Sequence, residues 1–362
     1  MMPQPRLDVR SATGTYPVMI GADLLGRIKP LLTELDLARD VVVVSCPPVW
    51  RAHGQVWRPL IGKTAPIIIP DGERAKTLQS VSRIYDGLIK RHADRSITLV
   101  AFGGGVVGDV AGFAAATYLR GVKLVQIPTT LLAQVDSAIG GKVGVNLAAG
   151  KNLVGAFYPP ALVACDPRIL GSLPRREFRA GLYEVVKYGV IASRALFDRV
   201  SSSLPSLFAR DVDALTLLIA ECCRIKADVV MRDEREAGPR RILNFGHTVG
   251  HALEAITKYR RFLHGEAVGY GMLAAAELAT TRRLLTQDER DALRQVIAHM
   301  GPMPAVTDLK ISEALQAIQG DKKVIAGTLH FVLPVAIGKT EIVKDVTRQE
   351  LTRALRQIGL AR

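Results

Sequence analysis

The first half of the chain alternates apolar runs of strand length with segments of helical periodicity. The apolar runs lie at residues 41–46, 66–70, 97–102 and 122–128. Apolar residues recur at helical spacing between Lys76 and Lys90, and small residues over 112–119 predict a second helix. Strands separated by helices in this way are parallel and joined by right-handed crossovers. The pattern predicts a Rossmann-like, doubly wound α/β domain over residues 1–165.

The pattern changes after Pro174. Helical apolar spacing runs through FRAGLYEVVKYGVI, DALTLLIAECCRIKADVV, HTVGHALEAI and GEAVGYGMLAAAELATTRRLL. One late β-hairpin is predicted over residues 328–346, with its turn at Gly338-Lys339. A mostly α-helical domain is therefore expected over residues 166–362, with the functional cleft between it and the first domain.

Composition and cysteine usage predict a cytoplasmic protein without a membrane span. Apolar residues make up 48% and charged residues 23%, as in ordinary globular proteins. The cysteines have no CxxC spacing, which favours reduced thiols, and the N-terminal residues lack the apolar core of a signal peptide. Residues 97–119 are long enough to cross a bilayer, but Asp109 and several glycines interrupt them. Strand, turn and helix are predicted there instead.

The net charge of +14 raises nucleic acid as a partner. The basic residues come as isolated doublets without a basic tail, and aromatic residues are only 5%, too few for a base-stacking platform. We therefore expect no nucleic-acid partner. A small anionic substrate accounts for part of the excess charge, and a generally basic surface accounts for the rest.

A glycine-rich turn follows the third apolar run. Gly103, Gly105 and Gly108 fit the GxGxxG spacing, in which glycine lets the backbone approach a pyrophosphate at a helix N-terminus. The acidic residue usually found about 20 positions later is missing, so an ordinary tight turn is the alternative. Upstream, PDGERAK places Asp71 and Lys76 just after a strand, where they could hold ribose and phosphate or simply begin a helix.

Residues 127–160 combine many small residues with a few charged ones. Asp136, Lys142, Lys151 and Asn152 lie in this stretch. Glycine-rich loops that present two lysines suit a phosphate or a carboxylate. A solvated loop is the alternative.

Histidines and carboxylates in the second half suggest a metal site. His247 and His251 are four residues apart on one helical face, and His264 begins another helix. Glu184 lies on an apolar helix, where a buried carboxylate needs a partner or a metal, and Glu266 follows His264 closely. Such a set suits a catalytic Zn²⁺ with an open position. The spacing does not match HExxH, leaves open which three residues are ligands, and allows satisfied core histidines as the alternative.

These motifs together resemble the 3-dehydroquinate synthases. The resemblance is carried, in order over about residues 70–335, by GGGVVGDVAGF, VQIPTTLLAQVDSAIGGKVGVN, GKNLVGAFYPP, GLYEVVKYGVI, NFGHTVGHALE, LHGEAVGYGM and DKKVIAGTLHFVLP. It implies a cytoplasmic homodimeric enzyme of the shikimate pathway that uses NAD and one divalent metal ion per subunit, Zn²⁺ or Co²⁺. It also implies the reaction, in which 3-deoxy-D-arabino-heptulosonate 7-phosphate becomes 3-dehydroquinate and phosphate through transient oxidation, elimination, reduction and aldol closure.

The resemblance also implies roles for individual residues. The metal ligands would be Glu184, His247 and His264. NAD would contact Asp71, Gly72, Glu73, Lys76, Gly104, Gly105, Gly108, Asp109, Thr129, Thr130, Lys142, Lys151 and Ser172. Substrate would contact Asp136, Lys142, Asn152, Lys187, Lys226, Arg240, Asn244, His251, one of Lys322 and Lys323, and Arg120 of the neighbouring subunit. Two positions depart from the pattern: Ser45-Cys46 at the end of the first strand, and Tyr183 beside the metal glutamate.

Two related activities remain as alternatives. Other sugar-phosphate cyclases would share the fold, NAD and metal, but their substrates lack a carboxylate, which Arg240 and Lys226 suit. A metal-dependent polyol dehydrogenase would release NADH, and the lysine-rich loop argues for a phosphorylated substrate instead.

Overall fold

A computed structural model describes residues 5–236, 238–319, 324–325 and 328–361 of the protein. The chain forms two compact units. The first comprises Met1–Pro174 and Arg210–Glu234, and the second comprises Arg175–Ala209 and Arg235–Arg362. The expected domain boundary at residue 165 stays a prediction, because compactness alone does not show which part of a chain folds independently.

The elements are numbered here in chain order. The strands are β1 Arg6–Ser11, β2 Gly14–Ile20, β3 Val41–Ser45, β4 Ile67–Ile68, β5 Thr98–Gly103, β6 Lys123–Pro128, β7 Lys142–Leu147, β8 Gly150–Phe157, β9 Leu162–Cys165, β10 Val324–Ile325, β11 Thr328–Leu329, β12 Phe331–Ala336 and β13 Lys339–Val343. The helices are α1 Ile28–Glu34, α2 Pro47–His53, α3 Arg58–Ile61, α4 Leu78–Ile89, α5 Gly105–Thr117, α6 Arg175–Ala192, α7 Arg194–Phe208, α8 Val212–Arg232, α9 His247–Ile256, α10 His264–Thr281, α11 Gln287–His299, α12 Ile311–Gln319 and α13 Arg348–Gln357.

The first unit is built on a mostly parallel sheet. Its strand order is β1-β2-β9-β6-β5-β3-β4, and only the β1–β2 pair is antiparallel within the described sheet. After β3 the chain forms β4 at the edge of the sheet, next to β3. It then crosses back and forms β5, which pairs with β3 on its other side. This reversal is a topological switch point, where open α/β sheets bind ligands at the carboxyl ends of their strands. The predicted Rossmann-like fold followed by a helical part is confirmed.

The segment that could have crossed a membrane forms β5, a turn and α5 instead. All of β5 is buried in the sheet, and Val110, Ala111 and Ala114 of α5 lie in the core beneath it. No helix among the described residues has the length and apolar character needed to span a membrane. The four cysteines are buried, and each is a thiol rather than half of a disulfide.

Part of the stretch expected to be a glycine-rich loop is an antiparallel hairpin of β7 and β8. Its glycines allow the two strands to approach closely. A Cβ at Gly144 would lie 2.6 Å from the Val154 carbonyl oxygen, and one at Gly155 would lie 2.3 Å from the Val143 oxygen. The sequence predicts a loop here, with a solvated loop as the alternative to an anion-binding one, because small residues lower strand propensity.

The second unit is mostly helical. Two glycines of α10 allow this helix to pack directly against the backbone of its neighbours. A Cβ at Gly265 would lie 1.9 Å from the Ala180 carbonyl oxygen on α6, and one at Gly271 would lie 1.7 Å from the Gly246 oxygen before α9. Both distances exclude any side chain, so the first turn of α10 lies directly against α6, and a later turn of α10 lies directly against the residue before α9. The predicted late hairpin is confirmed for β12 and β13, whereas β11 pairs with β10.

Candidate functional site

Three metal-binding side chains converge in the second unit. Glu184 projects from the middle of α6, while His247 and His264 are the first residues of α9 and α10. Each offers one ligand atom, and these atoms lie within 4.8 Å of one another. The Glu184 Oε1 atom is 3.8 Å from Nε2 of His247 and 3.8 Å from Nε2 of His264. One carboxylate and two imidazoles at these separations can surround a single divalent cation.

The surroundings of this group fit a cation. Glu184 is fully buried, and among the described residues its Oε1 atom accepts no hydrogen bond. A buried carboxylate oxygen without a donor is costly unless a cation lies beside it. The Nδ1 atom of His247 is 3.0 Å from the Phe245 carbonyl oxygen. If Nδ1 carries the proton and donates it to that oxygen, Nε2 presents a lone pair toward Glu184, as a metal ligand does.

The environment of Glu266, the second acidic candidate for a metal ligand, differs from that of Glu184. The Glu266 carboxylate accepts hydrogen bonds from Arg176 at 2.8 and 2.7 Å, from Arg179 at 3.3 Å and from the Leu263 amide at 2.9 Å. Burial alone would raise the pKa of Glu266, but these hydrogen bonds and charges lower it below its ordinary value. Glu266 therefore anchors the start of α10 to α6 and is already fully coordinated by protein donors.

The face of α9 that carries His247 continues with His251 and Glu254. The ring centroid of His251 is 5.5 Å from that of His247 and 5.9 Å from that of His264. Glu254 is 4% exposed, and its Oε2 atom is 3.4 Å from Nδ1 of His264. Sequence reasoning did not single out Glu254. The signal was its spacing, because positions 247, 251 and 254 share one face of a helix.

Further polar groups of the second unit lie close to these residues in sequence. Lys187, only 1% exposed, forms an ion pair of 2.5 Å with Glu184 one helical turn away. Arg240 is buried in the single-turn helix Pro239–Asn244, where Asn244 donates to Glu236 at 2.5 Å. Lys322 and Lys323 lie outside the described residues.

Tyr183 is fully buried beside Glu184 on α6. Its ring lies against Gly269, where a Cβ would be 3.0 Å from the ring carbon Cδ1. Burial raises the pKa of its hydroxyl well above the ordinary value, so the side chain stays neutral. The absence of a side chain at Gly269 on α10 thus makes room for the Tyr183 ring.

In the first unit, the glycine turn lies at the switch point of the sheet. Gly103 ends β5, Gly104 precedes α5 and Gly105 begins it. A Cβ at Gly104 would lie 3.0 Å from the Thr130 side chain, and one at Gly108 would lie 2.8 Å from the Gln126 amide oxygen. Thr130 and Gln126 therefore pack closely against these two glycines, and a larger residue at either position would have to displace them. The pyrophosphate site that the GxGxxG spacing predicts at the N-terminus of α5 stays a prediction.

Charged residues predicted to hold the nucleotide surround this turn. Lys76 is buried and paired with Asp109 of α5. Burial raises the pKa of Asp109, although the Lys76 ammonium opposes that rise. Asp71 and Gly72 are exposed just beyond β4. Burial and then the Asp71 carboxylate raise the pKa of the Cys46 thiol to about 11, so the thiol stays protonated.

The other predicted nucleotide contacts have local partners in the same unit. Glu73 accepts a hydrogen bond from Asn146 at 2.8 Å and lies 3.7 Å from the Lys151 ammonium. The Thr129 amide donates to Gly103 at 2.9 Å, and the Thr130 hydroxyl accepts from the Ala133 amide at 3.1 Å. Ser172 and His53 are joined by a hydrogen bond of 2.6 Å. The Ser45 hydroxyl donates to the Phe102 carbonyl inside the sheet.

Asp136 lies in a single π-helical turn, Ala133–Ser137, that packs beside α8. Lys226 of α8 is 2.5 Å from its Oδ1 atom. Lys142 and Asn152, on β7 and β8, are exposed, and Asn152 adopts a left-handed backbone conformation with φ of 52°. Arg120 ends the single turn after α5, is exposed, and also has a left-handed φ of 68°.

Two family models match consecutive parts of the chain. The model described as 3-dehydroquinate synthase N-terminal matches residues 66–180, and the one described as 3-dehydroquinate synthase C-terminal matches residues 181–324. A curated 3-dehydroquinate synthase from Gloeobacter violaceus is 48% identical to this chain, over 97% of the chain and 98% of the relative.

Solved structures of related enzymes have the same fold. A 2-epi-5-epi-valiolone synthase from Streptomyces hygroscopicus subsp. jinggangensis, with NAD⁺ and Zn²⁺ bound, is 29% identical with a TM-score of 0.87, covering 95% of this chain and 96% of that chain. A 2-deoxy-scyllo-inosose synthase complexed with carbaglucose-6-phosphate, NAD⁺ and Co²⁺ is 28% identical with a TM-score of 0.85, covering 98% of this chain and 100% of that chain.

Proposed function

The chain belongs to the 3-dehydroquinate synthase family, and from this membership we propose its cofactors, its site residues and its assembly. It is an enzyme that converts 3-deoxy-D-arabino-heptulosonate 7-phosphate to 3-dehydroquinate and phosphate. The reaction uses NAD and one divalent metal ion, Zn²⁺ or Co²⁺, and belongs to the carbon–oxygen lyases that act on phosphates. The convergence of Glu184, His247 and His264 is the observation that carries the metal dependence.

The other sugar-phosphate cyclases are the nearest alternative. The curated synthase quoted above is 48% identical to this chain, against 29% and 28% for the two solved cyclases. The dehydroquinate synthase substrate also carries a carboxylate. Arg240 and Lys226 are buried cations that suit such a group, because a guanidinium or an ammonium binds a carboxylate through charge-assisted hydrogen bonds.

Glu184, His247 and His264 hold the metal ion in this proposal. A divalent ion held there would supply Lewis acidity, which lowers the pKa of a substrate hydroxyl and polarises the corresponding ketone. Lys187 keeps the Glu184 carboxylate oriented through its 2.5 Å ion pair, and its ammonium can donate to substrate oxygens. His251 donates to or accepts from the groups that react beside the two metal histidines.

The glycine turn, with Asp71, Glu73, Lys76 and Asp109, holds NAD in this proposal. NAD held there would supply reversible hydride transfer, and the ketone formed by hydride removal would make the neighbouring C–H acidic enough for phosphate to leave. The amides at the N-terminus of α5 bind the pyrophosphate in this proposal. Gly72, Gly104, Gly105 and Gly108 let the backbone approach it, while Thr129, Thr130, Lys142, Lys151 and Ser172 complete the assigned contacts.

The assigned substrate residues are mainly cations and amides. They are Asp136, Lys142, Asn152, Lys187, Lys226, Arg240, Asn244, His251 and one of Lys322 and Lys323. Asp136 orients Lys226 in this proposal rather than abstracting a proton, because its Oδ1 atom lies 2.5 Å from the Lys226 ammonium. The substrate is a small anionic sugar phosphate, so the basic residues serve it rather than nucleic acid.

The assembly completes the proposal. The enzyme is a cytoplasmic homodimer in which Arg120 reaches the phosphate bound by the neighbouring subunit. The support from the structure is that Arg120 is exposed and has a left-handed backbone conformation, a strained geometry that is enriched at functional sites.

The deciding experiment measures phosphate and 3-dehydroquinate formed from the heptulosonate phosphate with a trace of NAD⁺. We expect product in large molar excess over NAD⁺, with no net NADH absorbance. One NADH per product would indicate a polyol dehydrogenase instead. Turnover of a carboxylate-free sugar phosphate, with none of the heptulosonate phosphate, would indicate another cyclase.

A further inference from the structure

The His264 ring has carboxylates near both of its nitrogens. Nε2 is 3.8 Å from Glu184 Oε1, within the candidate metal group, and Nδ1 is 3.4 Å from Glu254 Oε2. Glu254 is 4% exposed, and neither the substrate nor the cofactor assignments above use it. A buried carboxylate needs a partner, and the imidazole N–H is one that the structure provides.

The second metal histidine is arranged in the same way. His247 has its Nδ1 atom 3.0 Å from the Phe245 carbonyl oxygen and its Nε2 atom toward Glu184. In both rings, therefore, an oxygen acceptor lies at Nδ1 and the metal-facing nitrogen is Nε2. A neutral imidazole carries one proton, so an acceptor at Nδ1 leaves the Nε2 lone pair for a metal.

The rings of His247 and His264 differ in how deeply they are buried. The His247 side chain is 10% exposed, whereas that of His264 is 32% exposed. Packing alone therefore restricts His264 less, so a hydrogen bond to a buried carboxylate has more effect on its orientation. A carboxylate acceptor also makes the imidazole a stronger metal ligand than a neutral carbonyl does.

We infer that Glu254 is a positioning residue, which holds the His264 ring through Nδ1 so that Nε2 binds the metal ion. This inference rests on the metal centre proposed above. Glu254 could instead bind a second ion together with His251 and His264, since these residues also form a compact group. The positioning role is favoured because His264 would otherwise have to give both ring nitrogens to metal ions.

The test measures binding of Co²⁺ to the metal-stripped full-length protein and to Glu254→Gln. Glutamine has the shape of glutamate but not its charge. We expect Co²⁺ affinity to fall about 10- to 100-fold, with one ion still bound at saturation and with an altered visible absorption band of the bound ion. If Glu254→Gln does not fold, Glu254→Asp replaces it in the same Co²⁺ measurement. Aspartate is one methylene group shorter, so its carboxylate is withdrawn from the His264 ring.

Glu277→Gln is the matched control. Glu277 is also a buried carboxylate of the second unit, pairs with Arg294, and lies on α10 about 20 Å from His264 along the helix axis. Its replacement should leave Co²⁺ affinity and spectrum as in the unchanged protein. Circular dichroism establishes that each variant is folded.

Two results would overturn the inference. A folded Glu254→Gln variant with affinity within about twofold of the parent and the same spectrum would show that Glu254 does not act on His264. Binding of two ions by the parent and one by the variant would make Glu254 a ligand. Failure of the proposed metal centre is distinct, because the parent would then bind no Co²⁺ and Glu184→Ala would change nothing.

Discussion

Replacing Glu184 by alanine should remove the metal ion and also destabilise the metal-free protein. Glu184 is fully buried and Lys187 is 1% exposed, with 2.5 Å between their charged atoms. The substitution leaves the Lys187 ammonium buried without this carboxylate. Removing one partner of a buried ion pair typically costs about 3–5 kcal/mol, and the near-complete burial places this pair within that range.

The metal adds a second contribution, which can be measured separately. A ligand that binds only the folded state at 100 times its dissociation constant stabilises it by about 2.7 kcal/mol. The Glu184→Ala variant should lack this stabilisation by bound metal. Added Zn²⁺ should therefore raise the free energy of unfolding of the parent but not that of the variant. Urea unfolding followed by circular dichroism, with and without chelator, gives both numbers, and metal analysis gives the stoichiometry.

The matched control changes both partners of the ion pair. Lys187→Met in the Glu184→Ala background removes the buried ammonium and should restore much of the metal-free stability, without restoring metal or turnover. If alanine at position 184 prevents folding, Glu184→Gln retains the volume of the side chain. A folded variant that holds one metal ion per subunit, or whose metal-free stability falls by less than about 1 kcal/mol, would refute the reasoning.

Two further predictions concern other parts of the chain. If Arg120 acts across a dimer interface, mixed dimers of inactive Arg120→Ala and Lys142→Ala should recover activity, because one of their sites carries neither defect; mixed dimers confirmed by mass spectrometry that stay inactive would reject the shared site. Arg282 donates to Glu350 at 2.6 and 2.9 Å and lowers the pKa of that carboxyl to about 2. Its stabilising effect is therefore complete above about pH 4.5 and disappears as the pH falls through about 2. Glu350→Gln should cost about 1–2 kcal/mol at pH 7, after allowance for solvent screening, and progressively less in acid unfolding below about pH 4.5. An equal loss at pH 7 and pH 2 would contradict this linkage.

The parallel sheet was predictable because its strands are buried on both faces. Val41–Ser45 and Thr98–Gly103 are entirely buried, so each is a continuous apolar run that no amphipathic helix would produce. The short edge strand β4 and the β7–β8 hairpin are harder to predict from the sequence. In the hairpin, Gly144 and Gly155 provide close strand approach, and the sequence pattern does not distinguish that use from loop flexibility.

The candidate metal group depends on tertiary contacts that the local sequence pattern does not predict. Periodicity places His247, His251 and Glu254 on one face of α9, but it cannot show which nitrogen of His264 they meet. That relation depends on how closely α10 approaches α6, which Gly265 permits because a Cβ there would lie 1.9 Å from the Ala180 oxygen. Both Glu184 and Glu266 are buried acids. They differ because Arg176 and Arg179 satisfy Glu266, whereas the Oε1 atom of Glu184 accepts no hydrogen bond from any described residue. Hence the candidate ligand set depends on which carboxylate oxygen the tertiary packing leaves without a donor, a property that residue type and spacing do not encode.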